Sequence, residues 1–224
     1  MIGHYGYISE RAKVHPTAII TGDVWIEEDV EIGPYCIIGS RGEYNNDKPR
    51  NGKVIIRKGT TIRELTTIQV SVDGNPTEIG ENCYIMNKSH IAHDVKIGAN
   101  SVISTGTIIG GWCKLGENVN IGLGTVIHQR RSIGRGAMIG MNSTITKDIP
   151  PYLTVSGSPA RIMGLNKRGL ERMEEDPILI DDLDYHFFFC LKSKQGKEGN
   201  RLMEDIYKFY KDNPKSLDKL RGEV

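Results

Sequence analysis

From Ile79 onward an aliphatic residue recurs at every sixth position: Ile79, Ile85, Ile91, Ile97, Ile103, Ile109, Leu115, Ile121, Ile127, Ile133, Ile139 and Ile145. Shorter runs with the same spacing read Val14, Ile20, Ile26, Ile32, Ile38 and then Ile56, Ile62, Ile68. Neither a 3.6-residue helical period nor simple strand alternation produces this register. Two residues before each aliphatic the side chain is usually small or β-branched, as at Ala18, Cys36, Thr66, Cys83, Ser89, Ser101, Thr107, Cys113, Thr125, Ala137 and Ser143. Glycine often follows the aliphatic, for example Gly33, Gly80, Gly98, Gly110 and Gly122, and reads as the residue that permits a tight corner. The pattern predicts an all-β parallel β-helix of hexapeptides, in which three flat sides make one triangular coil and coils stack at about 4.8 Å.

Two polar stretches interrupt the register and predict loops at 40–52 (SRGEYNNDKPRNG) and 70–77 (VSVDGNPT). Loops on a rigid prism are candidate walls of an active site. The period stops at Ile145, followed by Pro150, Pro151 and the stretch VSGSPARIMG. LNKRGLERMEE, DLDYHFFFCLKSK and NRLMEDIYKFYKD then show helical spacing of apolar residues. The expected organisation is a β-helix over 1–163 and a small helical region over 164–224 that caps the open end. Phe187, Phe188 and Phe189 read as core or as contact between copies.

Composition narrows the function. Of 224 residues, 38% are hydrophobic and 25% charged, which favours a folded chain, and 26 glycines with only 7% aromatics suit regular packing. A formal charge of +1, with no basic block, argues against nucleic acid as a partner. No apolar run is long enough to predict a membrane span, and MIGHYGYISERAKVHP lacks the layout of a signal peptide. The four cysteines form no CxxC pair, so neither a disulfide framework nor a structural zinc site is expected, and a cytoplasmic location fits.

Three histidines fall within the long repeat: His90, His93 and His128. Residues one coil apart stack, so His93, Gly111 and Gln129 share a column, and His128 lies two coils, roughly 10 Å, along the axis. Asp94 can orient the His93 imidazole, and Gly111 can present a backbone N–H with no side chain in the way. A general base beside such a donor is what direct acyl transfer from a thioester requires, without a nucleophilic serine or cysteine. A zinc site built on the same histidines, or plain surface histidines, are the competing readings. Arg130, Arg131, Arg135, Lys147, Arg161, Lys167, Arg168 and Arg172 form a local basic cluster that suits phosphates or a solvated face.

MNKSHIAHDVKIG (Met86–Gly98), IGLGTVIHQ (Ile121–Gln129) and KDIPPYLTVSG (Lys147–Gly157) resemble the UDP-N-acetylglucosamine acyltransferases of lipid A biosynthesis, the LpxA-like family. VHPTAII, IGPYCIIG and IREL are similar too, so the resemblance covers most of residues 10–170. It implies a homotrimer of left-handed β-helices with active sites between subunits. His93 would then be the general base, Asp94 its orienting partner and Gly111 the oxyanion donor. His90 and His128 would contact a nucleotide sugar, Gln129 would line the cleft, and Asn166 and Arg168 match positions that bind nucleotide or carrier phosphate. No cofactor is implied beyond an acyl-carrier-protein or acyl-coenzyme A co-substrate.

The departures are informative. About two coils are missing before the first loop. Trp112 replaces a histidine of the family's cleft, and the loop acid that contacts sugar has Tyr44 or Asp47 as its candidates. Met141 falls where the family sets acyl length and implies a shorter chain. GSPARIMG resembles the tail of acetyl-coenzyme A-dependent hexapeptide enzymes. The expected function is acyl transfer to an amine or hydroxyl of a nucleotide-linked sugar in lipid A or surface polysaccharide biosynthesis. The alternatives are an acetyl-coenzyme A-dependent amino-sugar N-acetyltransferase, a zinc hydratase on the same scaffold and a structural β-helix without activity.

Overall fold

The computed structural model describes residues 6–44, 52–193, 200–214 and 216–217. Asp47 and the side chains of Phe187, Phe188 and Phe189 lie outside that description. The chain winds as a left-handed parallel β-helix whose short strands stack into three sheets. The first sheet runs from Tyr7–Ile8 to Ser132–Ile133, the second from Lys13–Val14 to Arg161–Leu165, and the third from Ile19–Ile20 to Thr144–Ile145. The hexapeptide aliphatics point inward and stack in register, as in Ile79 on Ile97, Leu115 and Ile133. Ile79, Ile85, Ile91, Ile103, Ile109 and Ile121 are fully buried, so the core is a column of aliphatic side chains along the axis.

The small position is a second inward column. Its hydroxyls and thiols donate to carbonyls of the neighbouring coil, as from Thr107 Oγ1 to Gly122 O at 3.4 Å and from Cys113 Sγ to His128 O at 3.2 Å. Burial pushes the Cys83 and Cys113 thiols up to about 11, which suits inert fillers.

The glycines after the aliphatics need correcting. Gly98 and Gly122 do not adopt positive φ; the corner residue that does comes two positions later, as at Asn100 (φ 58°) and Gly124 (φ 66°). Glycine is required at 98 and 122 because a Cβ would lie 2.5 Å from the backbone nitrogen of Glu117 and of Met141, one coil on. The limit is close approach between coils rather than turn conformation.

The prism also continues past Ile145. Ile149 bridges Ile133, and Val155 pairs with Ile139, each sixteen residues on instead of eighteen. The corner at KDIPP is two residues short, which hides the period. VSGSPARIMG then closes the second sheet as an antiparallel hairpin of Leu153–Ser156 with Arg161–Leu165. Three helices follow: α1 (Lys167–Arg172), α2 (Pro177–Ser193) and α3 (Arg201–Asp212). They are tied to the prism by the buried Tyr152 hydroxyl, which donates to Asp205 of α3, and by buried Glu175, which accepts from Arg135 and Arg201. The loops are slightly shorter than expected: Ser40 ends one strand and Thr77 begins another.

The stacked core carries the first prediction. Ile103→Ala removes a fully buried rung and is expected to cost about 2–5 kcal/mol in urea denaturation. Lys114→Ala, on the exposed face, is expected to change stability by less than about 0.5 kcal/mol. Equal losses would contradict the inward column.

Candidate active site

The site sits where the chain turns from the third sheet into the first. Strand His90–Ile91 delivers His93 and Asp94 to that corner, and one coil on, strand Ile108–Ile109 delivers Gly111 and Trp112. Asp94, Trp112 and Arg130 occupy the same corner position in successive coils, with φ of 59°, 59° and 62°. No β-branched side chain could hold that conformation cheaply.

His93 is 4% exposed. Its Nδ1–H donates to Asp94 Oδ2 at 2.9 Å, which leaves Nε2 as the free basic nitrogen. The Asp94 carboxylate also accepts from the Val72 N–H at 2.9 Å and the Asp73 N–H at 3.1 Å, both from the second loop. Its backbone N–H donates to Thr77 Oγ1 at 2.8 Å. A buried carboxylate is tolerable only with such a full set of donors.

Gly111 lies directly against the imidazole. A Cβ there would stand 2.6 Å from His93 Cε1 and 2.8 Å from Nε2, so only glycine fits. Among the described residues its N–H bonds to nothing. Trp112 stands edge-to-face on His93, with ring centroids 4.4 Å apart, and its Nε1–H donates to Asp73 Oδ2 at 2.5 Å. Tyr44 from the first loop closes the group at 6.1 Å from His93 and 5.5 Å from Trp112. The Arg130 guanidinium lies 4.0 Å over the indole. The arrangement is an oriented base beside a free backbone donor, walled by aromatics, and it can take a proton while an adjacent oxyanion is stabilised.

His93, Asp94, Gly111, Trp112 and Tyr44 therefore come together. His90 lies on the outward side of the third sheet with Nδ1 2.7 Å from Thr67 Oγ1, and burial holds its imidazole below the ordinary histidine pKa. Gln129 continues the His93–Gly111 column, and His128 beside it is exposed with Nδ1 3.0 Å from Gln129 O. Met141, 64% exposed, lies at a different corner, between the second and third sheets. Asn166 caps α1, accepting from the Gly169 N–H and donating to Gly136 O, and places Arg168 on the exposed side of that helix. Among the described residues no three His, Cys, Asp or Glu side chains gather as a metal site. The cavity of about 260 Å³ lined by Ile145, Lys147, Pro159 and Arg161 lies at the end of the prism and contains no histidine.

Sequence reasoning missed four participants. Thr77 fits the small-residue column, two before Ile79, but ends the polar stretch 70–77 that predicts a loop. Gln69 stands directly after Ile68, where glycine is usual, and that exception was its signal. Arg130 belongs by sequence to the basic cluster that suits phosphates or a solvated face, whereas it stacks on Trp112. Asp73 carries no pattern at all.

Two family descriptions match this chain: bacterial transferase hexapeptide (six repeats) over residues 76–111, and UDP-N-acetylglucosamine O-acyltransferase, domain 2, over residues 148–216. A relative from Psychrobacter sp. (strain PRwf-1), named acyl-(acyl-carrier-protein)–UDP-N-acetylglucosamine O-acyltransferase, is 43% identical over 232 residues, covering 87% of this chain and 89% of the relative. One of the same name from Thermodesulfovibrio yellowstonii is 37% identical, covering 71% and 77%. A crystal structure of UDP-N-acetylglucosamine acyltransferase superposes with a TM-score of 0.80 at 25% identity, covering 96% of this chain and 97% of the other. The Campylobacter jejuni UDP-N-acetylglucosamine acyltransferase gives 0.73 at 27% identity, covering 93% and 100%.

Gly111→Ala is expected to leave the coil folded but to push the imidazole off Asp94. Histidine side-chain NMR should then show the His93 Nδ1–H signal lost or strongly shifted, and an unchanged signal would contradict the close packing described here.

Proposed function

The chain belongs to the acyl-(acyl-carrier-protein)–UDP-N-acetylglucosamine O-acyltransferase family, and we propose that it transfers an acyl group from an acyl-carrier-protein thioester to a hydroxyl of a UDP-linked amino sugar. The chain is an acyltransferase. The single observation that carries the assignment of the site is the triad of His93, Asp94 and Gly111 at one corner. The relatives' activity favours a carrier-protein thioester over acetyl-coenzyme A, and a hydroxyl over an amine.

In the proposed reaction the acceptor hydroxyl lies against His93 Nε2. Its oxygen bonds to the thioester carbonyl carbon as its proton passes to Nε2. The negative charge that develops on the carbonyl oxygen is met by the Gly111 N–H. Asp94 accepts from Nδ1–H and steadies the imidazolium. Collapse of the tetrahedral intermediate breaks the C–S bond, and the departing sulfur takes the proton back from Nε2. No acyl-enzyme forms and no cofactor is consumed. His90, whose imidazole burial holds below the ordinary histidine pKa, would hydrogen-bond the sugar nucleotide, with His128, Gln129 and Trp112 lining the approach.

The site is completed by other copies in a homotrimer. The outward ladder of the third sheet is uncharged, reading Ile19, Ile37, Thr67, His90, Ile108, Val126, Thr144, and Ile108 is 46% exposed in one chain. The first sheet's outward ladder, by contrast, includes Glu78, Lys96 and Lys114. Exposed aliphatics at Ile19, Ile37, Ile108 and Val126, gathered on that one ladder, suit an interface between copies. Packing neighbouring prisms on that face would bring Met141 and the Arg168 helix, which a single chain holds away from His93, to another copy's corner. Met141 there would limit acyl length. The buried free thiols Cys36, Cys83 and Cys113 suit a reducing cytoplasm.

Two tests follow. His93→Ala is expected to lower turnover with UDP-N-acetylglucosamine and acyl-carrier thioesters by about 10²–10⁴-fold while keeping its oligomeric state. Activity at the wild-type level would remove the mechanism. In sedimentation, the wild-type chain is expected at three copies, and Ile108→Lys as a smaller, inactive species. A wild-type monomer with full activity would refute the shared site.

A further inference from the structure

Gln69 ends the strand Thr67–Gln69 and is 3% exposed. Its side-chain carbonyl accepts two backbone N–H groups at 3.3 Å each, from Glu43 in the first loop and from His93 itself. Because both partners can only donate, the amide orientation is fixed: oxygen toward them, nitrogen away. The carbonyl thus joins the loop that carries Tyr44 to the backbone of the base. The amide nitrogen shares the same small planar group, so it is held beside the His93 backbone. Its two N–H donors bond to none of the described residues. The donor pair has no protein acceptor, and it belongs to a side chain whose carbonyl is bound to the backbone of the base, so an oxygen of the substrate can supply the acceptor.

We propose that Gln69 is a further substrate-positioning residue, whose amide N–H donates to an oxygen of the sugar nucleotide while its carbonyl holds the first loop against His93. Three features of the acceptor suit this donor: hydroxyl, acetamido carbonyl and phosphate oxygens all accept. An aliphatic acyl tail offers no acceptor; the carbonyls of the thioester and its carrier arm do, and the separate KM values below distinguish them from the sugar nucleotide. The glycine otherwise usual after the repeat aliphatic would supply neither bond. The inference rests on the proposed acyl transfer to a UDP-sugar.

The test compares Gln69→Glu and Gln69→Met with the wild type. Melting temperature, UDP-N-acetylglucosamine binding by calorimetry, and separate KM values for UDP-N-acetylglucosamine and acyl-carrier thioester are measured. Q69E keeps an acceptor for both backbone N–H groups and loses the donors. It is expected to hold its melting temperature, to weaken sugar-nucleotide binding and raise that KM about tenfold, and to leave the thioester KM unchanged. Q69M, which adds no charge, is expected to raise the same KM and also to lower the melting temperature, because Glu43 and His93 lose their partner. Sugar-nucleotide affinity unchanged in Q69E, or both KM values rising together, would overturn the proposal while leaving the acyltransferase reading intact. A wild-type protein that neither binds nor acylates the sugar nucleotide would bring down that reading, and this inference with it.

Discussion

Every other feature depends on the backbone ladder between coils. Ala92 N–H donates to Ile109 O at 3.0 Å, Gly110 N–H to Ile127 O at 3.0 Å and His128 N–H to Ile145 O at 2.9 Å. Repeated on three sides, these bonds fix the vertical spacing and make residues eighteen apart lie in one column. His93 therefore rests on Gly111 because of backbone registration, not because the two side positions attract each other. The strain of holding Asp94 and Trp112 in left-handed backbone, of order 1–3 kcal/mol each, is sustained by the same ladder. Trp112 N–H, for example, donates to His93 O at 3.1 Å from within that conformation.

A rigid column alone would offer only a base and a donor. The two loops that break the hexapeptide register turn it into an enclosed site. The second loop gives its Val72 and Asp73 N–H groups to Asp94 and the Asp73 carboxylate to Trp112. The first brings Tyr44 and Gly42 against His93; at Gly42 a Cβ would lie 2.9 Å from His93 Cβ. The division is physical. Columns set where the reacting groups stand to within the spacing of a coil, and loops set the polarity and access around them.

The columns were the legible part. A strict period fixes the inward face, and counting by eighteen brings His93 onto Gly111 without any structure. What counting cannot give is the reach of a side chain across an irregular segment. Asp73 lies thirty-nine residues from the indole it accepts from, and no periodic rule links them. The short coil after Ile145 shows the opposite failure: Ile149 and Val155 remain core residues, but a two-residue deletion at the corner removes them from the count. Gly98 and Gly122 show a third, where the residue type was right and its reason wrong, since close contact between coils and positive φ both select glycine.

That shortened coil also explains how the stack ends. An open end of a parallel sheet presents unpaired N–H and C=O groups and would template another chain. After the last corner, drawn in by two residues, Leu153–Ser156 still runs parallel to Met138–Ile139, and Arg161–Leu165 turns back antiparallel on it, so the second sheet finishes on a hairpin and not on a repeat. The corner itself is taken up by the tail, where Asp148 bridges Ser216 and Leu217 N–H donates to Asp148 O at 2.7 Å. Asp148 in turn accepts from Ser132 N–H at 2.8 Å and from Arg131 at 3.3 Å. Tyr152 on Asp205 and Glu175 between two arginines then hold the helices against this end of the prism. Termination is thus specific to this end of the prism. It requires buried, paired charges rather than more isoleucine, because another aliphatic rung would extend the very edge that has to be closed.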